Sequence, residues 1–183
     1  MDPIEQEIVD ALTVCFPNIA AANQYNDTDW SNAIKAILGA IGQKRNFLSW
    51  SGFNSSRFAK YSPDEIKQHV EQVLNLPVPN YRVGWLYDIL WWEQDQNAMV
   101  TNIPLVVESE WGSVDSVEDD FQKLLVARSK YRIMIFQRDP DTINTWCKKQ
   151  IHNYQCTQSN DRYLFCAWRA RYNRFDFESY IIP

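Results

Sequence analysis

Between residues 103 and 136 an apolar β-branched segment, Leu105-Val106-Val107, is followed by a helix-patterned stretch and then a second apolar segment, Tyr131-Arg132-Ile133-Met134-Ile135-Phe136. Two strands joined through a helix form a crossover, and a crossover places its strands parallel in one sheet. The helix is expected over about 116–129. Ser113 or Asp115 caps it, and Phe121, Leu124, Leu125 and Ala127 form the inward stripe. A parallel pair needs cover on both faces, so the unit assigns the chain to the mixed α/β class.

The remaining pattern agrees. Asp2 and Pro3 open a helix with Ile4, Ile8, Val9, Leu12 and Cys15 on one face, and Pro17 is expected to stop it. A second helix is expected over about 30–43, capped by Asp27, Thr28 or Asp29 and weakened at its end by Gly42. A short strand is expected over 46–51. Ser62-Pro63-Asp64-Glu65 is a capping box and starts a helix to about Asn75. Strands are expected over 81–93 and 103–111, with a polar turn over 94–97. Asp139-Pro140-Asp141 starts a helix to about Ile151, and strands close the chain over 163–168 and 174–182. The 183 residues, 45% apolar, suffice for one core, and no linker or repeat divides them, so a single α/β domain over 1–183 is expected.

Charge and motif content narrow the function. No run of eighteen apolar residues occurs, which argues against a membrane span. The acidic start, Met1-Asp2-Pro3-Ile4-Glu5, is unlike a secretory leader, so a cytoplasmic location is expected. Cys15, Cys147, Cys156 and Cys166 form no CxxC pair, and His69 and His152 have no partner at ligand spacing. The thiols are expected to be reduced, and the histidines to sit on the surface or a helix face. The phosphate-loop, dinucleotide and nucleophile-elbow signatures are absent. Residues 1–120 carry 7 Lys and Arg against 18 Asp and Glu, and residues 121–183 carry 11 against 5. A uniformly basic nucleic-acid binder is thereby excluded, but a basic C-terminal third remains that can face phosphates.

The candidate chemistry lies in acids on apolar strands. Asp88 falls inside Gly84-Trp85-Leu86-Tyr87-Asp88-Ile89-Leu90-Trp91-Trp92, with apolar residues on both sides. A carboxylate there must be protonated, paired or bound to a metal. Glu108 and Glu110 share one strand face, roughly 7 Å apart, and repel by roughly 2 kcal/mol at an effective dielectric of about 20. A divalent cation relieves that repulsion, and oxygen ligands suit magnesium. The alternative is that the two glutamates mark the solvated end of a strand while Asp88 pairs with an arginine. Downstream, Lys123 lies beside the inward Leu124 and can reach over the sheet edge toward the acids.

A helix, a strand, a strand with Asp, a strand with Glu-x-Glu, a helix and a parallel strand together resemble the core of the PD-(D/E)xK restriction-endonuclease-like nucleases. The resemblance spans about 30–137. It implies a mixed β-sheet flanked by helices, with an extra N-terminal helix and a C-terminal helix plus strands as additions. It also implies a metal-dependent nuclease that hydrolyses phosphodiester bonds of DNA or RNA, with magnesium or manganese held by Asp88 and Glu108. Glu110 stands where the family has lysine, so Lys123, from the following helix, becomes its substitute. Glu110 would hold a second metal or a metal-bound water. Arg128, Lys130, Lys148 and Lys149 are the candidate contacts to backbone phosphates. Nucleic acid is the expected partner, and a homo-oligomer is compatible with the pattern. Two other readings remain. One is an inactive nuclease-like fold that binds protein or nucleic acid. The other is an immunity-type partner whose acidic face docks a basic protein. Most aromatic residues, Trp30, Trp85 and Trp91 among them, read as core; Trp92 and Trp111, beside the acids, are the candidates for a functional role.

Overall fold

The computed structural model describes residues 1–22, 26–54, 57, 59–80 and 86–183. Its elements in chain order are α1 (Pro3–Ala22), α2 (Asp27–Lys44), β1 (Leu48–Trp50), α3 (Pro63–Leu74), β2 (Ile89–Gln94), β3 (Val100–Glu110), α4 (Val114–Val126), β4 (Tyr131–Phe136), α5 (Pro140–Asn153), β5 (Arg162–Arg169) and β6 (Arg174–Ile181). The six strands form one sheet whose spatial order follows the chain. β1, β2 and β3 are an antiparallel meander. α4 and α5 carry the chain across to β4 and β5, which run parallel to β3, and β6 returns antiparallel along β5. The fold is mixed α/β, with helices on both faces of a mixed sheet. Among the described residues no helix is long and apolar enough to cross a membrane.

Strand alternation divides the core between the two faces. Ile89, Trp91, Leu105, Val107, Ile133, Ile135, Leu164 and Cys166 meet α1, α2 and α3. Leu90, Trp92, Val106, Met134, Phe136, Tyr163 and Phe165 meet α4 and α5 through Phe121, Leu124, Ile143 and Cys147. α2 is buried without a break over 29–42. Only Gly42 lets it lie so close to the sheet: a Cβ there would fall 2.6 Å from Trp91 Nε1, whose N–H donates to Leu38 O at 3.0 Å.

The expected helix starts are found at four places, the first at α1, where Asp2 Oδ1 accepts from the Ile4 N–H. Ser62 and Glu65 form the capping box of α3, Ser113 caps α4 and Asp139 caps α5. α2 differs in being capped by Asn26, whose Oδ1 accepts from the Thr28 and Asp29 N–H groups. α1 also departs from expectation, since it continues through Pro17 to Ala22. The burial of Phe16, Ile19 and Ala20 outweighs the one backbone hydrogen bond that proline removes. Glu5 binds α1 to the far end of the chain. It is buried and accepts from Arg162 Nε and Nη2 at 3.2 and 3.1 Å and from Ser179 Oγ at 3.0 Å.

The strand expected over 81–93 shortens to β2, which begins at Ile89 and leaves Asp88 just outside it. Residues 81–85, Trp85 included, lie outside the described residues. β1 is three residues long, and β3 starts at Val100, earlier than expected. Cys15, Cys147 and Cys166 are buried free thiols and Cys156 is an exposed one. His69 is half-buried on α3 and His152 is exposed on α5.

Candidate carboxylate and lysine site

The antiparallel register of β2 and β3 pairs Ile89 with Val107. Continued by one residue, it would set Asp88 opposite Glu108, but Asp88 lies in the bend before β2 and its carboxylate turns to Ser109 and Lys35. The two acids lie near enough for Asp88 to raise the Glu108 carboxyl, where the meander ends. Asp88 is held by Ser109 and faces Lys35. Its Oδ2 accepts from Ser109 N–H at 2.9 Å and from Ser109 Oγ–H at 2.8 Å, and its Oδ1 lies 3.6 Å from Lys35 Nζ. Asp88 is half-buried in a bend, which corrects the expectation of a strand residue enclosed on both sides.

Glu108 is 2% exposed. Its Oε1 receives no hydrogen bond from the described residues, and its nearest cation, Lys123 Nζ, stands at 3.4 Å. Burial pushes the carboxyl up to about 8, with Asp88 and Asp120 adding to the rise and Lys123 opposing it. Lys123 reaches the site from α4, as expected. Burial works against its charge, but its 2.5 Å contact to Asp120 and the nearby Glu108 outweigh this and hold its pKa above the ordinary value.

Glu110 behaves differently. Its Oε1 accepts from the Gly112 N–H in the turn that leads into α4, and a Cβ at position 112 would fall 2.5 Å from that oxygen. Among the described residues no group of three or more His, Cys, Asp or Glu side chains is placed to hold a metal ion. Asp88 is held by Ser109 and Lys35, Glu108 faces Lys123, and Glu110 is tied to its own turn.

The expected phosphate contacts do not join the acids. Arg128 and Lys130 precede β4, whose first residue, Tyr131, pairs with Leu105. They therefore lie at the other end of the parallel strands, at least about 13 Å from Glu108 along the strand direction. Lys148 is paired with Glu178 and lies over the Tyr180 ring, and Lys149 is exposed on the same helix. Trp92 and Trp111 are corrected to core residues, 8% and 7% exposed. Trp111 stacks on Phe16, and its Nε1–H donates to Ser31 Oγ.

Sequence reasoning missed Lys35, which is 3% exposed and donates to Gly52 O at 2.9 Å. The signal was present: Lys35 is the sole charged residue over 30–42, a helix segment apolar on nearly every side. A lysine in a fully enclosed helix must have a partner, and here one of them is Asp88.

The molecule is thus a mixed α/β protein with two acids and two lysines gathered at one end of its central strands. No protein-family model, curated protein or solved structure matches the chain.

Proposed function

We propose that the chain is a metal-dependent nuclease acting on DNA or RNA, with a restriction-endonuclease-like core over about 30–137. One observation carries the reading. Among the described residues Glu108 keeps a buried carboxylate oxygen without a hydrogen bond, with Asp88 near enough to push its carboxyl up. Lys123 Nζ, 3.4 Å from that oxygen, offsets part of the charge, and a divalent cation beside the acids would offset more. Asp88 and Glu108 would hold magnesium or manganese, and magnesium is commonly bound through one or two carboxylates, with waters and phosphate oxygens completing its shell.

When bound, the ion would polarise the scissile phosphodiester and acidify a water. Lys123, charged and anchored by Asp120, stabilises negative charge that builds on the phosphate oxygens. Ser109 holds Asp88 in place through two hydrogen bonds, and Lys35 offsets part of its charge. Glu110, fixed by Gly112, has its second oxygen for a hydrogen bond to water. The test is hydrolysis of labelled DNA and RNA in magnesium by the wild-type chain and by folded Asp88→Ala, Glu108→Ala and Lys123→Ala variants. Loss of cleavage in all three is expected. Cleavage that survives in both acid variants overturns the assignment.

An inactive nuclease-like fold that binds protein or nucleic acid is favoured by a different observation: Lys35 and Lys123 already stand beside the two acids. Calorimetric titration with manganese separates the readings, because a site satisfied by lysines alone releases or absorbs no binding heat.

A further inference from the structure

Over 162–175 the chain carries Arg162, Arg169, Arg171 and Arg174 and no acid. Glu5 occupies Arg162. The other three come together where β5 turns into β6. β5 ends at Arg169, a single 3-10 turn spans Ala170–Tyr172, Asn173 takes the left-handed conformation at φ 50°, and Arg174 pairs back with Arg169. The Tyr172 ring, 57% exposed, has the Arg171 and Arg174 guanidinium groups at 5.8 and 5.6 Å from its centre and so keeps two cations side by side. Arg138, just past β4, lines the same shallow depression of about 390 Å³ with Arg169, Arg171 and Tyr172. Asp176 lies 3.4 Å from both Arg169 and Arg174 and offsets part of this charge, and Asp139 serves as the cap of α5. Arg138 and Arg171 take part in no ion pair among the described residues.

Register relates this surface to the acids. Glu110 is abreast of Phe136, and Phe136 of Ala167. Arg169 lies two residues beyond Ala167, on the same face by alternation. Two strands across and two residues along place the Glu110 and Arg169 backbones roughly 12 Å apart, and Glu108, two residues further back along β3, lies roughly 16 Å from Arg169. The distance to Glu108 corresponds to about five phosphates at 3.4 Å per nucleotide along one strand of a duplex. The body of the protein is acidic, so a polyanion can settle only where cations concentrate.

We infer that the β5–β6 turn, with Arg138, is the surface on which a nucleic-acid backbone docks on its way to Asp88 and Glu108. The inference rests on the nuclease reading and moves its phosphate contacts from Arg128 and Lys130 to Arg138, Arg169, Arg171 and Arg174. The test is fluorescence anisotropy of a short labelled DNA duplex in EDTA, where no cleavage occurs, with magnesium-dependent cleavage by the wild-type chain measured separately. The Arg138→Ala/Arg171→Ala double variant is expected to bind at least about tenfold more weakly and to lower the salt slope by about 2, while Arg128→Ala/Lys130→Ala stays within about twofold of wild type. Undiminished binding by the first variant, selective loss in the second, or no binding by the wild type each overturns the surface. If cleavage is then present, the nuclease reading survives without it. If cleavage is absent but binding depends on Arg138 and Arg171, the surface stands and the catalytic reading falls.

Discussion

Replacing Glu108 with glutamine keeps the shape of the side chain and removes its charge, and the sign of the effect on stability follows from the site. An unfolded glutamate titrates near its ordinary value of 4.5, whereas burial, reinforced by Asp88 and Asp120 and opposed by Lys123, pushes the folded Glu108 carboxyl up to about 8. Between those values the folded chain retains a proton that the unfolded chain has released. Wild-type stability therefore falls as pH rises through this window and levels off above it. The span corresponds to a ceiling of about 5 kcal/mol at 1.36 kcal/mol per decade. Water entry and side-chain relaxation bring the expected effect to roughly 1–3 kcal/mol. Glutamine does not titrate, so Glu108→Gln and wild type should be nearly equal at about pH 5, and the variant should be more stable by that amount at about pH 9. Urea unfolding followed by tryptophan fluorescence measures the gap. A gap that stays constant between the two pH values, or that grows in favour of wild type, would mean that Glu108 is ionised and fully compensated throughout, and the reasoning fails.

Magnesium at ten times its dissociation constant should stabilise the wild-type chain by about 1.4 kcal/mol, a rise in Tm of roughly 3–6 °C at this chain length. Neither Asp88→Asn nor Glu108→Gln should show the rise, and equal shifts in all three proteins would put the ion elsewhere. Gly42→Ala forces a methyl group against Trp91 Nε1 and Ser49 Oγ, 2.6 and 2.7 Å from the new Cβ, and should cost about 1–3 kcal/mol in chemical denaturation. Wild-type stability in that variant would show that the indole can give way. Glu5→Ala leaves the Arg162 guanidinium, 14% exposed, without its carboxylate and should cost about 3–5 kcal/mol by the same measurement. A loss under about 1 kcal/mol would mean that water replaces the acid, as at an exposed pair.

The elements most legible in the sequence are those whose signals are local. Ser62, Ser113 and Asp139 cap helices because their short polar side chains reach backbone N–H groups a few residues ahead, which depends on nothing distant. The parallel placement of β3 and β4 is equally readable, since the crossover leaves no other arrangement. Pro17 misleads because a local helix breaker is overridden by burial against α2 and the sheet, which is decided by tertiary packing. At the site, the approach of Lys123 to Glu108 follows from strand order and helix phase. The diversion of Glu110 to the Gly112 N–H is not legible, because a two-residue turn competes with the strand face for the same side chain. Lys35 reaches the acids from a helix more than fifty residues upstream of Asp88, so only the close packing of α2 on the sheet reveals it. Arg128 and Lys130, candidates for phosphate contact, lie at the opposite end of the strand ladder from the acids.

The Glu5 contacts join positions separated by 157 and 174 residues. At about 5–20 residues per second, synthesis leaves an interval on the order of ten to thirty-five seconds between the emergence of α1 and that of its last partner. Over that time the acid stays in water at no cost, while Ile8, Leu12 and Phe16 can already settle on the second helix. A nascent chain thus docks the apolar side of its first helix early and closes the ionic latch last. Ribosomal products cut short before Arg162 never close it, and protease sensitivity of the first helix would mark them apart from finished molecules.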